Sequence, residues 1–471
     1  MGLDSILLLR VASVTDKVDH PQFFDPPYTL KYLQAGLQQD PALTVHLLDG
    51  WITPRSVSQL LDYTASVRPD VIVVSASSFD VDVSNAFVAA LRKQRNAPLV
   101  IGIEQGHYLN RDIKNGCEAL YDAILLGEPE EEFFKLLAWL RRSDASEEGW
   151  RTHYHQCYAA DERFAVQDPD RLPFLSYTPA ELQAYKSIFP VQLRQRAVWG
   201  FLIATRGCPY PCNFCSEVMR VSTGTKLRTR SAANVADEMA HLERQGVNIC
   251  SFQDDSFASH RRFIHALCEE LIVRHSTMPW MARVRADEVD YDLLALMKQA
   301  GCIMLGMGVE AGTQRIIDTI QKNFKPKPWL ERCRQAFRWT RELGIRTNAY
   351  YIIGNPTETR EEIEHTIRFA QELNSDTIQV HFYTPYPGSA AWKQYLYQLQ
   401  DSEPTKMFHY ATPVLPVAAV PTEELVQLRA QFYRRYIFRP KFMVQHFWRY
   451  AGFYWHNPDV FWSLLGIRKV L

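Results

Sequence analysis

A short apolar run, a polar turn, then apolar residues three and four apart: this order repeats along the first third of the chain. The runs are "SILLLRV", "LTVHLLDG", "PDVIVVSASS", "APLVIGIEQG" and the front of "YDAILLGEPEEEFFKLLAWL". Between them, "PYTLKYLQAGLQQ", "SVSQLLDYTASV" and "VSNAFVAALRKQR" carry helical spacing. Unbroken apolar runs are strands covered on both faces, and the interleaved amphipathic helices supply the cover. The pattern predicts a Rossmann-like, doubly wound parallel sheet over residues 1–145. Ligands of such sheets lie beyond the carboxyl ends of the strands. Those ends carry Ser75, Ser77, Gly102 and Gly127, small enough to admit a large flat ligand. The start, "MGLDSILLLRVASVTD", reads as the first strand rather than a signal peptide, because an acidic residue precedes a short apolar run.

From 146 to 196 the periodicity lapses into polar and proline-rich stretches, "RRSDASEEGWR" and "QDPDRLPFLSYTP", which read as a linker. A second α/β series fills 197–400, with strands "WGFLIATRG", "ICSFQDD", "WMARVRAD", "IMLGMGVEAG", "RTNAYYIIG" and "TIQVHFYTPYPG". A complete eight-unit barrel takes about 250 residues, so this series fits a partial (β/α)6 TIM-like barrel better. Residues 401–471 predict a helical extension in which thirteen aromatic residues lie between Phe432 and Trp462, interleaved with arginine and lysine.

Composition narrows the function classes. With 52 basic and 53 acidic residues the net charge is −1, which argues against a protein built to hold nucleic acid. No apolar run reaches the roughly 18 residues of a membrane span. Nine scattered cysteines argue against a disulfide framework and for a reducing, cytoplasmic setting.

Three of the nine sit together in "TRGCPYPCNFCSE". Cys208, Cys212 and Cys215 follow directly on a barrel strand, at the end where active sites form. Structural zinc prefers four ligands, commonly as two paired C-x2-C units, and the chain has no second pair. Three thiolates on one loop suit a 4Fe–4S cluster with one iron open to a further ligand.

The C-x3-C-x2-C loop, with Phe214 just before its last cysteine, resembles the signature of the radical S-adenosylmethionine (SAM) enzymes. The resemblance extends along the barrel. "SFQDDSF", "RVRAD", "GVEAG", "YIIGNPTET" and "YTPYPGS" fall in order at successive strand ends. It implies that the open iron binds SAM and that Phe214, Asp254, Asp255, Arg285 and Glu310 contact it. Gln253-Asp254-Asp255 stands where the family has glycine–glycine–glutamate, and Thr357 replaces a glycine, which predicts a less open turn. Each such residue alone is equally at home in strand-end packing. An electron donor such as flavodoxin or ferredoxin follows from the same resemblance.

The N-terminal sheet resembles the cobalamin-binding domain of one radical SAM class in "DPPYTLKYLQAGL", "VHLLDG", "PDVIVVSASS", "YDAILLGEPEEEF" and the linker "DPDRLPF". The D-x-H-x-x-G signature for cobalt ligation is absent; His20 and His107 are the candidate cobalt-side histidines. A sheet that has lost the cofactor and only supports the barrel is the alternative. The two resemblances together imply cobalamin-dependent methylation of an unactivated carbon in a small or lipid-like substrate. A cyclase or oxidoreductase with the same cofactors is the nearest rival, and a non-catalytic iron–sulfur protein a distant one. A methylthiotransferase is disfavoured, since the N-terminal third has one cysteine, Cys117, where those enzymes carry three. His381, Tyr383 and Tyr386 would face the substrate. The aromatic, basic tail fits helices capping the barrel, a membrane-surface segment or, least well, RNA contact. Similar tails occur in relatives acting on hopanoid-like lipids and tetrapyrroles.

Overall fold

The computed structural model describes residues 3–12, 26–76, 81–104, 119–142, 147–160, 162–185, 197–215, 226–323, 328–385, 389–399, 413 and 415–456. Ser77, His20, His107, Cys117 and Tyr386 lie outside them. Five parallel strands form the first sheet: β1 (Ser5–Arg10), β2 (Thr44–Asp49), β3 (Val71–Ala76), β4 (Leu99–Glu104) and β5 (Ala123–Gly127). A two-residue strand, β6 (Arg163–Phe164), extends it, giving the order β2-β1-β3-β4-β5-β6. Side chains alternate between two apolar cores. Leu7, Leu9, Ile72 and Val74 enter one, and Ile6, Leu8, Val71 and Val73 the other. Burial on both faces is why these strands read as unbroken apolar runs. The stretch read as a linker is more structured than its composition predicts. It contains a helix, Glu147–Ala159, and β6. Glu128 accepts from the Val166 amide at 2.6 Å, which draws this segment onto the end of β5.

The second sheet is also parallel: β7 (Trp199–Leu202), β10 (Ile249–Phe252), β11 (Trp280–Val284), β12 (Cys302–Glu310), β13 (Arg346–Ile353) and β14 (Thr377–Phe382), in the order β14-β13-β12-β11-β10-β7. A short antiparallel pair, β8 (Thr205–Arg206) with β9 (Arg228–Thr229), sits at its mouth. Cys250, Phe252, Leu305, Met307, Tyr351 and Ile353 join the core, so their strand neighbours turn to the concave side. The helices over the outer face are capped where polar residues allow. Asp290 accepts from the Leu293 amide, and Thr359 forms a capping box with Glu362. Two C-terminal helices, Thr422–Ile437 and Pro440–His456, close the series; Phe432 packs on Tyr351 with ring centroids 5.1 Å apart.

The two sheets are latched by buried charge. Arg206 in β8 bonds Glu130 at 2.8 Å, and Arg228 in β9 grips both oxygens of Glu128 at 2.6 and 2.8 Å. Both glutamates follow β5 directly.

Candidate functional site

Cys208, Cys212 and Cys215 leave β8 at the carboxyl end of the second sheet. Cys212 is buried, Cys208 half-buried and Cys215 exposed. Burial pushes the Cys208 thiol up to about 11, so it carries its proton until something electropositive takes the thiolate. Among the described residues, no three acidic, histidine or cysteine side chains form a site for a single metal ion. The cation supply fits a cluster of negative net charge. The Arg285 guanidinium lies 3.5 Å from the Cys212 sulfur and 3.8 Å from the Tyr210 ring centroid. Asp287 and the Lys322 carbonyl hold the same guanidinium at 2.9 Å each. Arg285, expected against SAM, is thus seated under the cysteine loop.

Glu310 ends β12 in a left-handed conformation, φ 68°, beside a register shift between Gly308 and Glu310. That conformation is unusual for a side-chain-bearing residue and marks local strain. Lys322 receives it with a 2.7 Å buried ion pair and lies 5.6 Å from the Phe214 ring centroid. A Cβ on Gly308 would stand 2.2 Å from Glu310 Oε1 and 3.1 Å from Lys322 Nζ, so a larger residue there would displace the ends of the pair. Lys322 was not singled out from sequence. It lies twelve positions after Glu310, and no periodicity links them.

The two aspartates at the end of β10 face different ways. Asp254 accepts from the amides of Ala204 and Thr205, pinning the strand that leads into the cysteine loop. Burial still pushes its carboxyl up to about 6. Asp255 has a buried Oδ1 without a hydrogen-bond partner. Burial, with the Asp254 charge added, pushes it up to about 8. An unsatisfied buried carboxyl beside the thiols is an acceptor waiting for a donor.

The concave side of the second sheet is polar. Arg283 is exposed there and donates to Gln253 at 2.7 Å, which donates to Ser251 at 2.8 Å. Across the sheet the Tyr350 hydroxyl passes over Gly306, where a Cβ would meet it at 2.8 Å. Gln379 and His381 follow on β14 in register with Tyr350 and Ile352. Burial, helped by Arg429, lowers His381 to about 4, so its imidazole is neutral at ordinary pH. Tyr383, beyond the strand end, is 3% exposed and packed into the core. Thr357 keeps a glycine-like φ of 62°, held by Arg315 at its hydroxyl (2.9 Å) and carbonyl (3.0 Å). Arg315 thus ties the threonine into the turn where the resemblance implies a glycine.

The first sheet offers a second mouth. Its β2-β1-β3-β4-β5 order reverses between β1 and β3, and ligands of such sheets bind at that switch. Ser75 stands there, paired in register with Arg10, fully buried and with an unpartnered hydroxyl. Arg10 is bound by Asp49 through two bonds, and the Tyr185 hydroxyl joins Asp49 at 2.9 Å. Gly127 ends β5 with φ 88°. Gly102 lies inside β4 rather than at its end, paired with Val74 and Ile124. An orphaned hydroxyl, a buried ion pair and glycine backbone fit a large ligand held mainly by area and a few hydrogen bonds.

Residues 202–370 match the family model described as the Radical SAM superfamily. The chain is similar to an uncharacterized methyltransferase of Pyrococcus horikoshii, 24% identical over 434 residues, covering 91% of either chain. It is also similar to an anaerobic magnesium-protoporphyrin IX monomethyl ester cyclase of Rubrivivax gelatinosus, 26% identical, covering 89% of this chain and 75% of that one. Its fold is shared with a radical SAM methyltransferase, TsrM, of Kitasatospora setae, solved with cobalamin and a [4Fe-4S] cluster bound. There the TM-score is 0.63 at 18% identity, over 85% of this chain and 79% of the other.

Proposed function

From the premise that this chain is a radical SAM enzyme, a member of that superfamily, we propose that it also binds cobalamin and methylates an unactivated carbon of a small or lipid-like substrate. One observation carries this reading: a three-thiol loop and a switch-point strand end with an orphaned serine hydroxyl stand on parallel sheets latched to each other. When bound, the cluster with SAM supplies a hydrogen-abstracting 5′-deoxyadenosyl radical, and cobalamin supplies a transferable methyl group.

The protein's own residues then have the following work. Cys208, Cys212 and Cys215 hold the cluster, with Arg285 offsetting thiolate charge at Cys212. Asp255 accepts the SAM ammonium, whose charge lowers the cost of ionising that buried carboxyl. The Lys322–Glu310 pair fixes the far side of the same mouth against Phe214. Arg283, Tyr350, Gln379 and His381 orient substrate along the concave face. Arg283 suits an acidic handle, and neutral His381 accepts or donates without adding charge. Ser75 donates to a polar edge of cobalamin, and the Arg10–Asp49 pair keeps the neighbouring strand ends rigid.

The similarity to magnesium-protoporphyrin ester cyclases supports a second reading, oxidative ring closure with the same cofactors. One preparation tests both. The chain is produced anaerobically with cobalamin, desalted, and incubated with methyl-labelled SAM, an external one-electron donor and a cell extract. Near-stoichiometric cobalamin and label in a new product support methyl transfer. Retained cobalamin with unlabelled product supports the cyclase reading. An intact cluster without cobalamin overturns both.

A further inference from the structure

The last described helix, Pro440–His456, presents its apolar side outward. Met443, Val444, Phe447, Trp448 and Trp455 are 50%, 57%, 56%, 75% and 85% exposed. At 100° per residue these five fall within about 140° of the helix circumference. The opposite side docks the helix. Phe442 meets Tyr436 at a centroid distance of 5.2 Å, and Gln445 accepts from Asn374 at 3.1 Å. A folded monomer rarely leaves two tryptophans and a phenylalanine on one solvent-facing stripe.

Charge along this stretch of sequence has one sign. From Leu425 to Pro458 the sequence has no acidic residue and carries Arg429, Arg434, Arg435, Arg439, Lys441 and Arg449. Lys441 is exposed on the edge of the stripe itself. Beside the helix a cavity of about 580 Å³ is lined by Lys298, Arg341, Arg346, His446 and Trp448, with Asp376 its one acidic residue among those described. It opens at the starts of β13 and β14, the end of the barrel away from the cysteine loop. No helix among the described residues is long and apolar enough to cross a membrane.

We infer that this helix docks the protein in the plane of an anionic lipid surface. Trp448, Trp455 and Phe447 enter the interface, while Lys441 at the edge of the stripe meets lipid phosphates. Large aromatic side chains and basic residues on one in-plane helix are the composition such binding requires. A second copy of the chain would bury the aromatic stripe equally well, but would set the same basic flanks against each other. The site faces away from the cysteine loop, so the helix positions the enzyme at a membrane whatever reaction it performs.

The test is vesicle flotation of the full chain with its cluster, using phosphatidylcholine alone and with about one third phosphatidylglycerol. The expected result is binding to the anionic vesicles, reduced by high salt, and at least about ten-fold weaker for the double variant F447S/W448S. The cluster absorbance of that variant, whose changed side chains are exposed, is expected to match the parent. K441E is expected to weaken binding less and only to anionic vesicles. Absence of binding to either vesicle overturns the inference. So does a soluble dimer that F447S/W448S dissociates, which assigns the stripe to a second copy. Binding gained only on removal of residues 457–471 also overturns it, since the tail then covers the stripe.

Discussion

The two parallel sheets end in mouths of opposite character. At the barrel mouth charge is plentiful: three thiols, the Arg285 guanidinium, the Lys322–Glu310 pair and an unsatisfied Asp255. At the first sheet the charges are spent on each other, Arg10 on Asp49, and what remains is a serine hydroxyl and glycine backbone. The difference agrees with the ligands proposed for each mouth. A zwitterion such as SAM is held by point charges in a low-dielectric pocket. A large, mostly neutral ring system is held by contact area, and a fixed cation there would only cost desolvation.

That contrast can be broken one mouth at a time. Cys212→Ala is expected to remove the cluster and lower 5′-deoxyadenosine formation by at least about a thousand-fold, read by chromatography alongside iron content. Cobalamin retained after desalting should stay unchanged in that variant; joint loss would show that the mouths are not separable. Ser75→Leu is the mirror experiment. It is expected to cut retained cobalamin at least about ten-fold by overfilling the switch point, with iron and sulfide unaltered. Asp255→Asn removes the ammonium acceptor and is expected to weaken SAM binding about ten-fold, measured by equilibrium dialysis on the cluster-loaded protein. Unaltered SAM affinity would remove Asp255 from the site.

The smallest effect concerns Glu358, fully buried behind β13 with its Oε1 unpartnered and its carboxyl pushed up by burial to about 7. A folded-state value above the unfolded one means that wild-type stability falls as pH rises from about 4.5 to 7 and is level beyond. Glu358→Gln is therefore expected to stabilise by up to about 3 kcal/mol above pH 7 and by almost nothing below pH 4.5. Thermal denaturation across that range checks it, and a gain independent of pH would refute the assignment.

Much of this was legible in the sequence because buried parallel strands write themselves as apolar runs. Five of the six barrel strands lie within their predicted stretches and β12 begins one residue before its own, at Cys302; the cysteine spacing marks the loop before any fold is known. What stayed hidden depends on parity and on return of the chain. Asp254 and Asp255 are identical letters, yet one faces the backbone of the neighbouring segment and the other the pocket. Arg283 and Arg285 belong to one motif, but β11 ends at Val284, so the second leaves the concave face for the cysteine loop. Lys322 reaches Glu310 only after a helix, Gln314–Thr319, carries the chain back. Strand β6 is two residues long and too short to leave a pattern.

The latch between the sheets also bears on how the molecule is made. Glu128 and Glu130 belong to the part of the chain that leaves the ribosome first, and Arg206 and Arg228 are translated later. N-terminal units generally fold first during synthesis. The newborn barrel thus meets a finished acidic edge, and the hairpin that carries the cysteine loop has its counter-charges waiting. A barrel excised from its predecessor would leave these two arginines without their carboxylate partners at the base of the cysteine hairpin. Its first defect would be a misplaced cluster loop, well before any loss of the six-stranded sheet.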